Sequence, residues 1–261
     1  MTATPAPTRA APQAGLALAV THARYLIVES LRVPITLVSS AVLPVLFLLF
    51  FVVPFSDPAD AVGVTTAVAQ LATFAVLSTF LFTLGVGVAD DREKPWDPYL
   101  RTLAAPAWPR LLGRLLNGYV FAIISVVPIS ITAGLLTTAG AAPWRLMLGL
   151  LALLGAATPF LFGGLAIGYT LPVKAAVPVT QLVFLPIAFG GGLFLPPAVF
   201  PPWLEQVSTM LPTRGARDLV VSAVVGTPPE TAAVLVLLGW AAVTAALAGW
   251  AYRRDEGRRY R

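Results

Sequence analysis

Residues 65–94 read TTAVAQLATFAVLSTFLFTLGVGVA and then DDREK: a long uncharged run that ends in five consecutive charges. A helix of that uncharged length rises about 37 Å, more than the roughly 30 Å hydrocarbon core of a bilayer. The abrupt change at Asp90 is what a membrane span looks like where it meets water. The rest of the chain agrees. Of 261 residues, 57% are hydrophobic and 11% charged, whereas a soluble domain carries roughly 25% charge. So little charge cannot clothe a globular surface, and so much apolar content excludes disorder. Lipid is the solvent this sequence is written for.

Working outward, five further stretches lack Asp, Glu, Lys, Arg and His, and the six together predict spans at 33–53, 65–89, 115–138, 146–170, 177–195 and 232–252. The fifth is the least regular, with Pro178, Pro186 and Gly190–Gly192 inside it. The expected fold is an all-α membrane protein of six transmembrane helices. A disordered Pro/Ala tail covers 1–14, and a single transmembrane domain covers 15–261. Placing both termini on one side puts fourteen of the 17 Lys and Arg there, leaving Arg145, Arg214 and Arg217 opposite. Basic residues stay on the cytoplasmic side, so both ends are expected in the cytoplasm of a bacterial plasma membrane.

Rare residue types exclude whole chemistries. There is no cysteine, and His22 is the single histidine, which removes thiolate metal sites, HExxH pairs and serine–histidine triads. Lys94 and Lys174 are the two lysines, and neither sits in a GxxxxGK[ST] loop. The chain is therefore expected to hydrolyse no ATP by itself and to hold no cofactor or metal. Its net charge of +5 follows from topology and calls for no nucleic acid.

Three segments between spans carry the remaining information. Gly15–Arg32 places Leu16, Val20, Ala23, Ile27 and Leu31 at helical spacing, with His22, Glu29 and Arg32 on another face. This predicts an interfacial helix on the cytoplasmic leaflet, or else a plain extension of span one into water. Asp90–Arg114 gathers nine charges. Within it, Asp97-Pro98 has the form of a helix N-cap followed by proline, and Pro106 stops the helix. Trp96, Tyr99, Leu100 and Leu103 give that short helix an apolar side suited to docking on a cytoplasmic partner. A solvated positive-inside loop is the other reading of the same charges. On the external side, 196–229 predicts one amphipathic helix around Trp203 to Leu211 and, after Pro212, a second over Arg214–Val225. Both are too short to cross a bilayer, so they are expected as re-entrant or interfacial helices.

These stretches carry a resemblance. Asp91-Arg92-Glu93-Lys94 through Leu100, Leu103 and Pro106 looks like the charged turn and coupling helix of the ABC-2 type permeases, the membrane subunits of bacterial ABC exporters. Pro95-Trp96 stands where that family's Gly-Thr would follow. Gly192-Leu193-Phe194-Leu195-Pro196, Phe200-Pro201-Pro202-Trp203-Leu204 and Leu211-Pro212-Thr213 resemble the family's run from span five into its external helices. The likeness is closest to daunorubicin-exporter-like permeases. It implies a subunit that pairs with a second permease copy, as homodimer or heterodimer, and sits on separate ATP-binding subunits that hold ATP and Mg. Coupling would pass through Arg92, Glu93, Lys94, Trp96, Asp97, Tyr99, Leu100 and Leu103. The external re-entrant region would include Phe194, Pro196, Trp203, Pro212 and Arg217.

The absence of Asp, Glu, Lys, Arg and His within the spans supports the same reading independently, because ion-coupled transporters place such groups there. Energy must enter from outside the bilayer, and the Asp90–Arg114 loop is the port. The expected cargo is hydrophobic or amphipathic, a drug, antibiotic or lipid-like molecule, moved past Phe74, Phe80, Phe82, Gln181, Phe184 and Phe189. Each of these six could equally face lipid or pack helices. Multidrug efflux and antibiotic resistance are the roles this suggests. Export of polysaccharide or lipid-linked glycan, and a non-transport assembly or immunity factor, are the alternatives.

Overall fold

The computed structural model describes residues 12–32, 42, 44–95 and 108–257. Ten helices are used below: α1 (Pro12–Leu31), α2 (Pro44–Phe55), α3 (Ala61–Glu93), α4 (Trp108–Leu136), α5 (Pro143–Ala156), α6 (Thr158–Thr170), α7 (Val173–Gly190), α8 (Pro202–Ser208), α9 (Pro212–Val225) and α10 (Thr231–Gly257). No strand occurs among the described residues. Five stretches are long and apolar enough to cross a membrane: α3, α4, α5 with α6, α7, and α10. Of the expected first span, 33–41 and 43 lie outside the described residues. Its remainder is the short apolar α2, which widens to a π turn at Leu48–Val52 and tightens at Val53–Phe55.

Helix α3 is the centre of the bundle, in contact with α2, α4, α5, α6, α7 and α9. Asp60 starts it by accepting a hydrogen bond from the Gly63 N–H at 2.8 Å. Buried threonines along it turn their hydroxyls back onto their own helix, Thr73 to Ala69 O and Thr79 to Ala75 O, both at 2.7 Å. Their polar atoms are thereby satisfied without water. Small residues then let α6 approach backbone to backbone. Gly164 and Gly168, four apart, face α3, and a Cβ on Gly168 would stand 2.7 Å from Leu84 O and 2.8 Å from Gly85 O. This is the small-residue spacing that membrane helices use to pack closely. Gly168→Ala should therefore lower stability by about 1–3 kcal/mol through forced separation of α3 and α6. Gly239→Ala, where nothing lies within 4 Å, should be neutral or stabilising by up to about 1 kcal/mol. Paired thermal unfolding curves in one detergent check both.

Two expected spans take a different form. The fourth is broken at Ala157 because Pro159 has no N–H to donate and crowds the carbonyl four residues back. The Thr158 hydroxyl satisfies that freed Gly155 carbonyl at 2.6 Å. The fifth stops at Gly190 instead of running to Leu195. There Gly191 and Gly192 turn the chain, the latter at φ +77°, a conformation that favours glycine. The two short helices expected after it are α8 and α9. Helix α9 is packed among α3, α5, α7 and α10 rather than lying loose over them.

Candidate functional site

The end of the bundle that holds the last turns of α3 and α10, with α1 packed on α4 beside them, concentrates charge, and four consecutive residues organise it. Helix α3 runs one turn past the expected limit at Ala89, so Asp91, Arg92 and Glu93 point outward from a helix at successive 100° steps. Arg92 reaches α10 through an ion pair with the nearly buried Asp255, Nη2 to Oδ1 at 2.6 Å. Its Nη1 donates to the Gly168 and Leu171 carbonyls at 2.7 and 3.3 Å, placing positive charge on the C-terminus of α6. Glu93 accepts from the Val173 N–H at 2.9 Å, placing negative charge on the N-terminus of α7. Two adjacent side chains of opposite sign thus hold both ends of the α6–α7 turn.

Asp91 and Lys94 tie in the remaining helices. Asp91 pairs with Arg114 of α4 at 3.0 Å and with Lys94 at 2.7 Å. Lys94 also reaches Glu29 of α1 at 3.3 Å. Burial works against the Lys94 charge, but the carboxylates of Asp91 and Glu29 outweigh it and raise the ammonium above its ordinary value. Arg114 further donates to the Tyr169 hydroxyl of α6 at 3.4 Å. Residues 91–94 therefore connect α3 to α1, α4, α6, α7 and α10. They stand directly before 96–107, where the expected coupling helix with Trp96, Asp97, Tyr99, Leu100 and Leu103 lies outside the described residues.

Helix α1 rests on α4 at the same end. A Cβ on Gly113 would stand 2.7 Å from His22 Cβ and 3.1 Å from the Ala23 nitrogen, so glycine permits this contact. Burial, then the charges of Arg110 and Arg114, lower the His22 pKa below its ordinary value. The folded state thus binds the imidazole proton less readily than the unfolded chain. Stability from this contact is complete above about pH 6.5 and lost as pH falls below it. With the base-catalysed intrinsic rate divided out, the protection factors of the α1 amides should fall as pH drops from about 7.5 to about 5.5, and His22→Gln should remove that fall.

Among the residues expected to line a path, Phe74, Phe184 and Phe189 belong to one cluster. Phe74 lies 5.4 Å from Phe184 and 4.8 Å from Phe194 between ring centroids, and Phe189 stacks on Phe194 at 4.4 Å. Phe47 and Phe51 of α2 and Phe160 of α6 extend it. The cluster grades from buried Phe184 to half-exposed Phe189 and exposed Phe51. Phe80 is elsewhere, fully buried against Tyr119 at 5.0 Å. Phe82 lines a 450 Å³ cavity at the α1 end beside Glu29, Asp91 and Arg114. Gln181 is exposed on α7.

At the opposite end, Phe194 joins the aromatic cluster, Pro196 is an exposed turn residue, Trp203 is exposed on α8, and Pro212 is buried at the start of α9. Arg217 is paired with Asp218 at 2.5 Å. With the Gln70 carboxamide oxygen turned toward it, Arg217 also donates through Nε and Nη2 at 2.9 and 2.8 Å. Gln70 lies nine residues inside α3, so an ionised group reaches the bundle from a segment outside the spans. Arg214 holds Glu205 through two bonds of 3.1 Å and Asp218 through one of 2.6 Å.

Residues 20–225 match the family model described as ABC-2 type transporter. The chain belongs to the ABC-2 type transporter family. A similar curated protein is "Putative transport permease YvfS" of Bacillus subtilis (strain 168), 24% identical over 223 residues, covering 83% of this chain and 89% of the relative. An ABC-2 permease is a multi-pass membrane subunit of a transporter, and membership implies a separate ATP-binding subunit as partner. Among the described residues no group of His, Cys, Asp or Glu could hold a metal ion. Sequence reasoning missed Asp255, Arg114, Glu29 and Tyr169 as members of the α1-end cluster. Asp255 was hidden within RRDEG, a run that reads as solvated charge. Arg114 offered one signal: it begins the uncharged run of α4 and faces DDREK across a single loop.

Proposed function

We propose that this ABC-2 permease exports hydrophobic or amphipathic compounds, working as two copies on separate subunits that bind ATP and Mg. The observation that carries the reading is the grip of Asp91–Lys94 on five other helices at the base of the 96–107 loop. Force applied to that loop by a partner reaches α3 first. The Arg92 and Glu93 bonds then pass it to the α6–α7 turn and α10, and Asp91 and Lys94 pass it to α4 and α1. No span needs to carry its own proton or ion site for this, in keeping with the uncharged interior of the spans. The graded aromatic cluster between α2, α3 and α7 offers flat apolar faces to a cargo with rings or long hydrocarbon. With both termini in the cytoplasm, the loop faces the ATP-binding subunit, and the cluster lies toward the external face.

The test is substrate-stimulated ATP hydrolysis and transport by the complex in lipid, over a panel of amphipathic compounds. Glu93→Gln and Leu100→Ala should each leave membrane insertion and basal hydrolysis intact while lowering stimulated transport about tenfold, the effect of losing one charge-assisted bond or one buried anchor. Unchanged transport in both variants would sink the coupling route. No stimulation by any amphipathic compound in the wild type would favour a glycan cargo. Orientation is tested separately in this cysteine-free chain: a single cysteine at position 141 should react with a membrane-impermeant maleimide added outside cells, and one at position 3 should not.

A further inference from the structure

On the side of the bundle away from α1, α3, α4, α5 and α9 line a groove of about 460 Å³. Its walls are mainly apolar, with Val68, Ile123, Val127, Ile131, Leu150 and Val224 outnumbering Thr65 and Ser130. The wall contributed by α4 runs from Ile123 to Gly134, about 17 Å of helical rise, which matches the roughly 15 Å hydrocarbon depth of one leaflet. The α4–α5 loop at Ala139–Ala141 closes the end away from α1.

A cation stands at that end. Arg145, adjacent in sequence to the lining residue Leu146, lays its guanidinium against the C-terminus of α9. There Nη1 donates to Val225 O at 2.7 Å, and Gly226 turns at φ +90° to admit it. Its Nε is buried without a partner. Arg214 and Arg217 at this same end are each paired with carboxylates, whereas among the described residues no carboxylate lies within ion-pair distance of Arg145. The neighbouring Trp144 is exposed, with the guanidinium 5.2 Å from its ring centroid. Tryptophan in such a position sits at the headgroup level of a bilayer.

We infer that this groove holds one phospholipid of the leaflet on the α4–α5 loop side, with an acyl chain along α4 and its phosphodiester on Arg145. The charge argues for lipid against a second copy of the chain. A twofold contact brings the same patch onto itself, which would set Arg145 near its own counterpart. A phosphate supplies the missing anion and accepts from the guanidinium in the geometry that Arg favours. The site is separate from the proposed cargo path and stands whether or not that reading does.

The experiment uses the full chain in nanodiscs of phosphatidylethanolamine and phosphatidylglycerol, the latter carrying a photoactivatable group on its acyl chain. Labelled peptides should come from 123–134 and 146–153. Arg145→Gln should reduce labelling about tenfold, the effect of losing one charge-assisted pair. Gly134→Phe fills a groove position where nothing lies within 4 Å of a Cβ, and it should abolish labelling while leaving the elution profile and melting curve unchanged. Equal labelling in all three proteins overturns the proposal. So does loss in Gly134→Phe with Arg145→Gln unaffected, which removes the headgroup contact. A disulfide between two copies of Ile131→Cys, formed in place of lipid labelling, overturns it as well.

Discussion

Arg92→Ala is expected to cost about 3 kcal/mol of stability, because it removes the guanidinium that pairs at 2.6 Å with the nearly buried Asp255 carboxylate. It also strips two carbonyls at the C-terminus of α6 of their donor. Thermal unfolding of the solubilised protein measures the first effect. Transport by the complex with its ATP-binding subunit should fall further than stability alone explains, since α10 and the α6–α7 turn are released from α3 together. Arg92→Met combined with Asp255→Leu should cost less than Arg92→Ala, because the carboxylate that the guanidinium offsets is removed together with it. Transport should nevertheless stay low in the pair, as methionine cannot bond the Gly168 and Leu171 carbonyls. A loss under about 1 kcal/mol in Arg92→Ala would mean the pair behaves as a solvated surface contact.

The second large effect belongs to Arg214. Its guanidinium makes a two-bond fork to Glu205, a 2.6 Å bond to Asp218 and a 3.2 Å bond to the buried Ser208 hydroxyl. It is the polar link between α8 and α9. Arg214→Ala should destabilise by about 3 kcal/mol and raise hydrogen exchange in 202–210 before other regions loosen. Arg214→Lys should rescue little, since an ammonium cannot reproduce the fork. If exchange in α8 were unchanged, the segment would be held by Trp203, Leu204 and their apolar neighbours instead.

The spans were legible because they rest on a one-dimensional quantity, the distance between charges along the chain. The breaks within them rest on single residues whose effect depends on neighbours. Pro159 interrupts a span, whereas Pro128 is carried inside α4 and Pro178 and Pro186 inside α7. Proline count alone does not separate these outcomes. DREK was legible as a charged turn, and its partners were not. Asp255 is 163 residues from Arg92, and such a pairing is a property of helix packing. The path residues show the same limit. Aromatic side chains on α3 and α7 were the right type to notice, yet Phe80 and Phe74 lie six apart and face different neighbours. Arg217 carries the sharpest lesson. The spans themselves hold no charge, but a short helix outside them delivers a guanidinium to Gln70.

The helices of this bundle are unequal in height, and the bilayer has to respond. Helix α3 has 33 residues and rises about 50 Å, whereas α7 has 18 and rises about 27 Å before Gly191 turns the chain away. Lipid beside α7 therefore meets a wall shorter than its own hydrocarbon, while residues such as Leu182 and Val183 present that wall outward. Thinning the film to fit costs fractions of a kcal/mol for each ångström. Protein laid over α7 removes that cost. Elastic strain in the surrounding film thus favours any arrangement that covers α7, with no specific bond needed to produce the preference.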